Sequence, residues 1–243
     1  MTPGHYMYEE WRELPADPAY AVFLDPTRTA VVSIDMHLGH LSEDPDCPCP
    51  APRAREIIRP IDQFHDRARA LGVRIVHVRS NLRASGIDDV LGIPSAWRLK
   101  YGRWAGGIRN MDEHAREGTR WTTFATRVEP SDEIVASKKR LSAFYPTDLD
   151  FLLRQQGVTI VVLDGTMTDC CVLNAAFDAS NLNYRVVVLR DLVRGTNEEL
   201  ESAALKIMSL NTGLVMDSAD LLQVWAAWTP TQALAPQPGV AAS

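Results

Sequence analysis

The sequence has few cysteines and no long apolar run. Its four cysteines, Cys47, Cys49, Cys170 and Cys171, are expected to be reduced thiols rather than disulfides. The longest apolar runs, such as VTIVVL at 158–163, are far shorter than the ~20 residues that a membrane-spanning helix needs. The N-terminal stretch MTPGHYMYEEWRELP lacks the apolar core of a signal peptide. We therefore expect a cytoplasmic protein without a membrane partner.

Basic residues are not concentrated anywhere in the chain. The formal net charge is −6, and no dense run of Lys or Arg provides the positive surface that nucleic-acid binding requires. With 46% hydrophobic residues, 14 Gly and 15 Pro among 243 residues, the composition is typical of a globular protein with a real core. We predict one domain over 1–243 and no nucleic-acid partner.

Strand-like segments rich in β-branched residues alternate with helical patterns. The strands are predicted at 30–35, 73–79, 133–137, 158–164, 184–190 and 213–216, and are expected to be buried on both faces. The helices are predicted at 55–71, 147–156, 170–181 and 197–211, with Thr147 and Thr196 as N-caps and Gly72 and Gly157 as C-terminal stops. This alternation predicts an α/β protein, a three-layer α/β/α sandwich with a mostly parallel six-stranded sheet.

Two segments interrupt this alternation. Residues 42–54 and 80–130 have no strand pattern of their own and are longer than ordinary connections, which predicts insert loops. The C-terminal segment 229–243 is rich in Pro, Ala and Gln and is predicted to be a frayed tail. The sheet and its helices are therefore expected within a core of about 28–222.

Ligands of open α/β sheets bind beyond the carboxyl ends of the strands. Three reactive side chains are predicted there. Asp35 ends the first strand, Lys138 follows the third strand, and Cys171 lies in the first turn of the helix that follows the fourth. The unpaired N–H groups of a helix start and a nearby lysine both favour a thiolate, so the pKa of Cys171 is expected to be lowered. The pattern indicates an acid, a base and a thiol in one site.

Three motifs around these residues resemble those of the isochorismatase-like cysteine hydrolases, a family that includes carbamoylsarcosine amidohydrolase, nicotinamidase, biuret hydrolase and isochorismatase itself. AVVSIDMH resembles the family's first strand, and GTMTDCCV resembles its cysteine loop. In KKRLSAFYPTDLDFLLRQQG the lysine that precedes SAF by four positions is the match, so Lys138 rather than Lys139 is indicated. The resemblance covers about residues 28–222.

The resemblance implies a cysteine-dependent amidohydrolase that cleaves a linear amide, carbamoyl or ureide C–N bond of a small molecule through an acyl-thioester. Asp35 would act as base and acid, Lys138 would keep it ionised, and Cys171 would be the nucleophile. The backbone N–H groups of Met167 and Cys171 would form an oxyanion hole beside a cis peptide bond between Thr166 and Met167. The resemblance further implies a homo-oligomer, a dimer or tetramer, and no cofactor.

Two other functions remain open from the sequence. One is an isochorismatase-type hydrolase of a vinyl ether, which in this family needs no nucleophilic thiol. The other is a catalytically idle family member that acts as an interaction module. The intact set of Asp35, Lys138 and Cys171 argues against both.

Three residues depart from the family's motifs: His37 replaces Gln, Asp169 replaces Asn, and Cys170 replaces an apolar residue. We expect these positions and the two inserts to influence substrate choice, although the Cys170 side chain is predicted to pack in the core. The aromatic and basic insert could be a lid or a subunit interface. The residues expected to contact the substrate are His37, Arg79, Trp97, Arg98, Trp104, Phe144 and Tyr145.

Two further motifs invite a metal interpretation. Cys47 and Cys49 in CPCP have no second Cys or His pair at a suitable spacing, which favours loop residues. Asp35, His37 and His40 in DMHLGH could be ligands, but the family's zinc-binding nicotinamidases carry their ligands after the second strand, where SNLRASGIDDV has no histidine. We predict no metal site.

Overall fold

The strands form a small hairpin and a large parallel sheet. The computed structural model describes residues 3–15, 17–104 and 113–229. Strands β1 (Gly4–Met7) and β2 (Glu10–Glu13) pair antiparallel. The large sheet contains β3 (Thr29–Ile34), β4 (Arg74–Ser80), β5 (Glu133–Lys138), β6 (Ile160–Thr166), β7 (Arg185–Arg194) and β8 (Gly213–Met216). All its pairings are parallel, in the order β5-β4-β3-β6-β7-β8.

Helices cover both faces of this sheet. The described α-helices are α1 (Pro18–Ala21), α2 (Leu38–Leu41), α3 (Ile58–Ala70), α4 (Ala96–Trp104), α5 (Leu149–Gln155), α6 (Leu173–Asn181), α7 (Glu198–Asn211) and α8 (Ser218–Ala226). Alternate residues of β3 enter two different apolar clusters. One cluster contains residues of α5, α6 and α7, and the other contains residues of α3 and α8. The predicted α/β/α sandwich is thus confirmed, with an entirely parallel sheet.

Several helix boundaries differ from the sequence prediction. Asn197 rather than Thr196 caps α7, and its side chain accepts from the N–H of Leu200. Helix α5 begins one residue after Asp148, so Thr147 is not its N-cap, although the Thr147 hydroxyl accepts from the N–H of Leu149. Gly72 and Gly157 have φ angles of 79° and 69°, the left-handed conformation that ends helices.

The sequence also underestimates the amount of regular structure. The hairpin β1–β2 and helices α4 and α8 were not predicted, and α4 lies inside the 80–130 segment that was expected to be a loop. Strand β5 is only partly buried because it lies at the edge of the sheet, which corrects the expectation that every strand is buried on both faces. The predicted tail lies outside the described residues beyond Thr229.

The long insert is fastened to the sheet at its base. The N–H of Leu82 donates to the Ala115 carbonyl at 2.6 Å, and the N–H of Glu117 donates to the Leu82 carbonyl at 2.8 Å. Helix α2 packs so closely on this segment that a Cβ at Gly39 would lie 1.9 Å from the His114 carbonyl oxygen. These contacts hold the insert over the carboxyl edge of the sheet. Within the described ranges, no helix combines the length and apolar character needed to cross a bilayer.

Candidate active site

Asp35, Lys138 and Cys171 meet at the carboxyl edge of the sheet. Asp35 directly follows β3 and has a φ of 53°, a left-handed conformation that Asp tolerates better than most residues. Lys138 is the last residue of β5. Cys171 lies in a π-helical turn, Thr168–Val172, that follows β6 and precedes α6, rather than in the first turn of an α-helix as predicted. All three side chains are buried.

The Lys138 ammonium group links the other two side chains. Its Nζ lies 2.6 Å from Asp35 Oδ2, 2.8 Å from Ser80 Oγ and 3.4 Å from Cys171 Sγ. An ammonium group has three N–H donors, and each has one acceptor here. The neighbouring Lys139 instead donates to the Asn81 carbonyl. Lys138 is therefore the lysine of this cluster.

Ser80 completes the contacts of the Asp35 carboxylate. Asp35 Oδ1 accepts from the Ser80 N–H at 2.8 Å and from the Ser80 hydroxyl at 3.1 Å. Ser80 is the last residue of β4, the strand that lies between β3 and β5 in the sheet. The strand order therefore places this serine between Asp35 and Lys138.

The ion pair determines the charge state of Asp35 and Lys138. Burial alone raises the pKa of Asp35, but the charge of Lys138 and its hydrogen bond outweigh burial and hold that pKa below its usual range. Burial likewise opposes ionisation of Lys138, while the Asp35 charge raises the pKa of its ammonium group above the usual value. Both groups are thus ionised at neutral pH.

The Cys171 thiol does not have the lowered pKa that the sequence predicts. A hydrogen bond with the Cys170 thiol and burial both raise the pKa of Cys171, and the Lys138 charge offsets them only in part. The lysine and the helix start both favour a lowered pKa, but the residue is only 6% exposed, and the sequence does not reveal this enclosure. The resting site therefore holds a protonated thiol next to an ionised Asp35.

The backbone beside the thiol has an uncommon geometry. The peptide bond between Thr166 and Met167 is cis, at the position that the family resemblance indicates. Gly165 precedes it with a φ of 108°, and a Cβ there would lie 2.2 Å from the Ile34 carbonyl oxygen, so only glycine fits. Met167 and Cys171 both line the cavity described next.

A cavity of about 1000 Å³ opens in front of Cys171. Four of the seven predicted substrate contacts line it: Trp97, Arg98, Phe144 and Tyr145. The side chain of Trp104 lies outside the described part of the chain. Arg79 is placed elsewhere, because its guanidinium donates to the Thr122 carbonyl and lies over the Phe124 ring. The insert thus contributes one wall of the cavity.

A row of three histidines separates Asp35 from this wall. His37 is fully buried behind the cavity, while His40 and His114 line it. The ring centroids of His37 and His40 are 4.7 Å apart, and those of His40 and His114 are 5.2 Å apart. His37 Nδ1 donates to the Trp121 carbonyl, so its Nε2, 3.9 Å from Asp35 Oδ1, carries the lone pair. Burial lowers the pKa of both His37 and His40, which keeps them neutral.

The three departures from the family motifs lie behind the cavity wall rather than on it. Asp169 accepts from the N–H and the hydroxyl of Thr196, both at 2.7 Å, and so ties the cysteine turn to the start of α7. The Cys170 side chain packs in the core, as predicted. His37 contacts Asp35 and the other histidines. None of these three residues is among those that line the cavity.

Five residues of the site are not among the predicted catalytic or substrate-contacting residues, although His40 was considered as a metal ligand. Ser80 could have been found as the last residue of its strand, in the same way as Asp35 and Lys138. His40 and His114 meet only because α2 and the insert pack together, and no sequence pattern indicates this. The other two are Lys139 and Arg140, which line the cavity directly after Lys138.

The parallel sheet and the cavity at its carboxyl edge define a three-layer α/β enzyme. The profile of the isochorismatase domain family matches residues 29–220, so the chain belongs to the isochorismatase family. This finding confirms the family that the motifs resemble. The chain is thus a hydrolase of this family, and several of its curated relatives are amidohydrolases.

Relatives of this chain include enzymes and solved structures. It is 28% identical to the maleamate amidohydrolase of Pseudomonas putida over 197 residues, 81% of this chain and 86% of that protein. It is 27% identical to the ureidoacrylate amidohydrolase of Rhizobium rhizogenes over 186 residues, 73% of this chain and 74% of that protein. The crystal structure of an isochorismatase-like hydrolase from Alkaliphilus metalliredigens matches this chain with a TM-score of 0.69 and 27% identity. The match covers 82% of this chain and 99% of that protein's chain.

Proposed function

We propose that the protein is a cysteine-dependent amidohydrolase that cleaves a linear amide, carbamoyl or ureide C–N bond of a small molecule. The observation that carries this proposal is the position of the Lys138 ammonium group, which contacts both Asp35 and Cys171 at the bottom of a cavity. An acid, a cation and a thiol in one enclosed cluster are the groups that acyl transfer requires.

In the first half-reaction, Cys171 Sγ attacks the carbonyl carbon of the amide. Because the thiol is protonated in the resting site, its proton moves to Asp35 as the C–S bond forms. Lys138 compensates the negative charge throughout this transfer. The protonated Asp35 then donates the proton to the departing nitrogen, which leaves as ammonia or an amine, and an acyl-thioester remains on Cys171.

In the second half-reaction, water cleaves the thioester. Asp35 accepts a proton from the attacking water, the C–S bond breaks, and the proton returns to Cys171 Sγ. The products are the carboxylic or carbamic acid and the original thiol. In both halves, negative charge on the carbonyl oxygen would be stabilised by the backbone N–H groups of Met167 and Cys171, which flank the cavity.

We further infer that the protein is a homo-oligomer in which a second copy covers the loop 87–93. Four apolar side chains in this short loop are 60–93% exposed: Ile87, Val90, Leu91 and Ile93. Several large apolar side chains exposed within one short loop are a feature of interaction surfaces. The loop also supplies Asp88 and Asp89, which bind cavity-lining cations, so its burial would stabilise the cavity wall.

The proposed chemistry is tested by ammonia release from carbamoyl compounds, ureides, aromatic carboxamides and amic acids. Cys171→Ala should lower kcat by about 1000-fold or more on any active compound, because the nucleophile is removed. Cys170→Ala is the matched control and should stay within about threefold of the wild type, since its side chain packs in the core. Equal losses in both variants, or turnover that survives Cys171→Ala, would contradict the proposal.

A further inference from the structure

Two basic residues follow Lys138 and line the same cavity. The Arg140 guanidinium donates to the Lys139 carbonyl at 2.8 Å and to the Asp88 carbonyl at 2.7 Å. The Lys139 ammonium group donates to the Asn81 carbonyl. Main-chain carbonyls therefore hold both side chains in place, and a carbonyl group carries no net charge that would neutralise a cation. Fixed cations of this kind are preorganised for an anionic ligand.

The charges around these two residues do not balance. Asp88 is the carboxylate that approaches Lys139, at 3.9 Å, and it also lies 4.0 Å from Arg83. Among the described residues, no carboxylate lies within ion-pair distance of the Arg140 guanidinium. Lys139 and Arg83 thus share one carboxylate, and Arg140 has none among the described residues. Arg98, which also lines the cavity, is instead paired with Asp89 at 2.5 Å.

Both apolar and acidic side chains line the rest of the cavity. Leu141, Phe144 and Trp97 provide apolar walls, which reduce the screening of charge by water, and the acidic residues are Asp150, paired with Arg154, and Asp178. Arg140 follows Lys138 by two residues, so their Cα atoms are at most about 7 Å apart. Arg140 and Cys171 also line the same cavity, so one molecule bound in it has both groups on the surrounding walls.

We propose that Lys139 and Arg140 form an anion subsite that binds the carboxylate of the substrate, so that the preferred substrates are short amides or ureides with an acid group at the opposite end. The guanidinium group matches a carboxylate because it offers parallel N–H donors. This inference rests on the proposed amidohydrolase function, since the subsite is defined by its distance from Cys171.

The experiment compares maleamate with maleamide, which replaces the carboxylate by a neutral amide of the same shape. Arg140→Gln should lower kcat/KM for maleamate about tenfold or more, mainly through KM, and should leave maleamide within about twofold. Added salt should likewise slow only maleamate. Arg190→Gln is the control, because Arg190 pairs with Asp217 outside the cavity lining. Equal losses on both compounds would show a structural role and overturn the subsite.

A binding measurement covers the case in which neither compound is hydrolysed. Maleamate is titrated calorimetrically into Cys171→Ala and into the double variant with Arg140→Gln. Binding that weakens about tenfold in the double variant supports the subsite even without turnover, whereas equal or undetectable binding to both proteins overturns it. Hydrolysis that survives Cys171→Ala would contradict the proposed chemistry and leave the anion preference to be judged by these affinities.

Discussion

Ser80 contacts Asp35 twice, through its N–H at 2.8 Å and its hydroxyl at 3.1 Å. The same hydroxyl accepts from Lys138 at 2.8 Å, so it orients both members of the ion pair. Ser80→Ala keeps the N–H contact but removes the hydroxyl bonds. We predict a fall in kcat of about 10- to 100-fold with little change in KM, because hydrogen bonds to charged groups are lost.

A positioning role for Ser80 is distinguished from a structural one by two measurements. Ser80→Thr retains the hydroxyl and should recover most of kcat, and the pH profile of Ser80→Ala should shift while that of Ser80→Thr should not. Ser33→Ala is the control, since Ser33 is a buried strand serine whose hydroxyl has no partner within the described chain. A similar loss of kcat in the Ser33 variant would refute the role of Ser80.

The alkylation rate of Cys171 reports the state of its thiol. Because the Cys170 hydrogen bond and burial raise the pKa of Cys171, iodoacetamide should react more slowly at pH 7 than with a free cysteine. Cys170→Ala removes the larger cause and should accelerate the reaction. The labelled peptide is quantified by mass spectrometry across pH. A rate midpoint below the usual thiol pKa of ~8.5 would contradict this prediction.

Turnover should survive exhaustive chelation. Both oxygens of Asp35 already accept hydrogen bonds from Lys138 or Ser80, and the Lys138 ammonium group lies where a metal ion would approach the carboxylate. A second cation at this point would be repelled. The measurement is ammonia release before and after dialysis against a chelator, with elemental analysis of the protein. Stoichiometric zinc whose removal abolishes the rate would prove us wrong.

Stability should decrease as the pH falls from 7 to 5. Burial lowers the pKa of His37, His40 and His77 in the folded state, so below about pH 6.5 the unfolded chain binds more protons than the folded chain. The free energy of unfolding then rises with pH, by at most about 1.4 kcal/mol per pH unit for each histidine.

Urea denaturation at several pH values between 5 and 7.5 measures this slope. His77→Gln removes one histidine that lies outside the cavity lining and should reduce the slope by up to one proton. The ratio of slopes matters rather than the absolute stability, because the substitution also changes the contact with Asp132. A wild-type slope of zero over this range contradicts the prediction.

The oligomer is tested by light scattering. The wild type should have at least twice the mass of one chain, which is 27.0 kDa. Leu91→Glu places a charge at the most exposed apolar position of the loop 87–93 and should shift the protein towards the monomer. Phe151→Glu is the control, because Phe151 is an exposed apolar residue of α5 outside this loop. A monomeric wild type would refute the proposal.

The sheet could be predicted because its strands are dense in β-branched residues. The hairpin β1–β2 and helix α4 could not be predicted from the sequence. The hairpin β1–β2 is formed by GHYM and EWRE, in which charged and aromatic residues give no strand pattern, and it is held by Tyr6, whose hydroxyl donates to Asp217 while its ring lies under Arg190. Helix α4 combines Trp, Arg, Lys and Tyr without an apolar stripe, so its sequence alone does not predict a helix.

The chemistry of the site could be predicted as far as it depends on strand ends. Asp35, Lys138 and Cys171 lie at or just beyond the carboxyl ends of three strands, and parallel strands bring these ends to one edge of the sheet. The pKa of Cys171 could not be predicted, because it depends on the Cys170 thiol and on enclosure by the cavity wall. His40 and His114 come from segments far apart in the sequence that meet through the close approach at Gly39.

The two hydrogen bonds between Leu82 and the segment at Ala115 and Glu117 close the insert at its base. The described part of the insert contributes Trp97, Arg98 and His114 to the cavity. The residues proposed to carry out the reaction, Asp35, Lys138 and Cys171, all lie outside it. The entropic cost of closing a loop grows only slowly with its length. The insert can therefore be lengthened, shortened or replaced with a small change in the free energy of unfolding. For protein engineering, Leu82 and Ala115 are the positions between which a different substrate-binding loop can be inserted while Asp35, Lys138 and Cys171 stay unchanged.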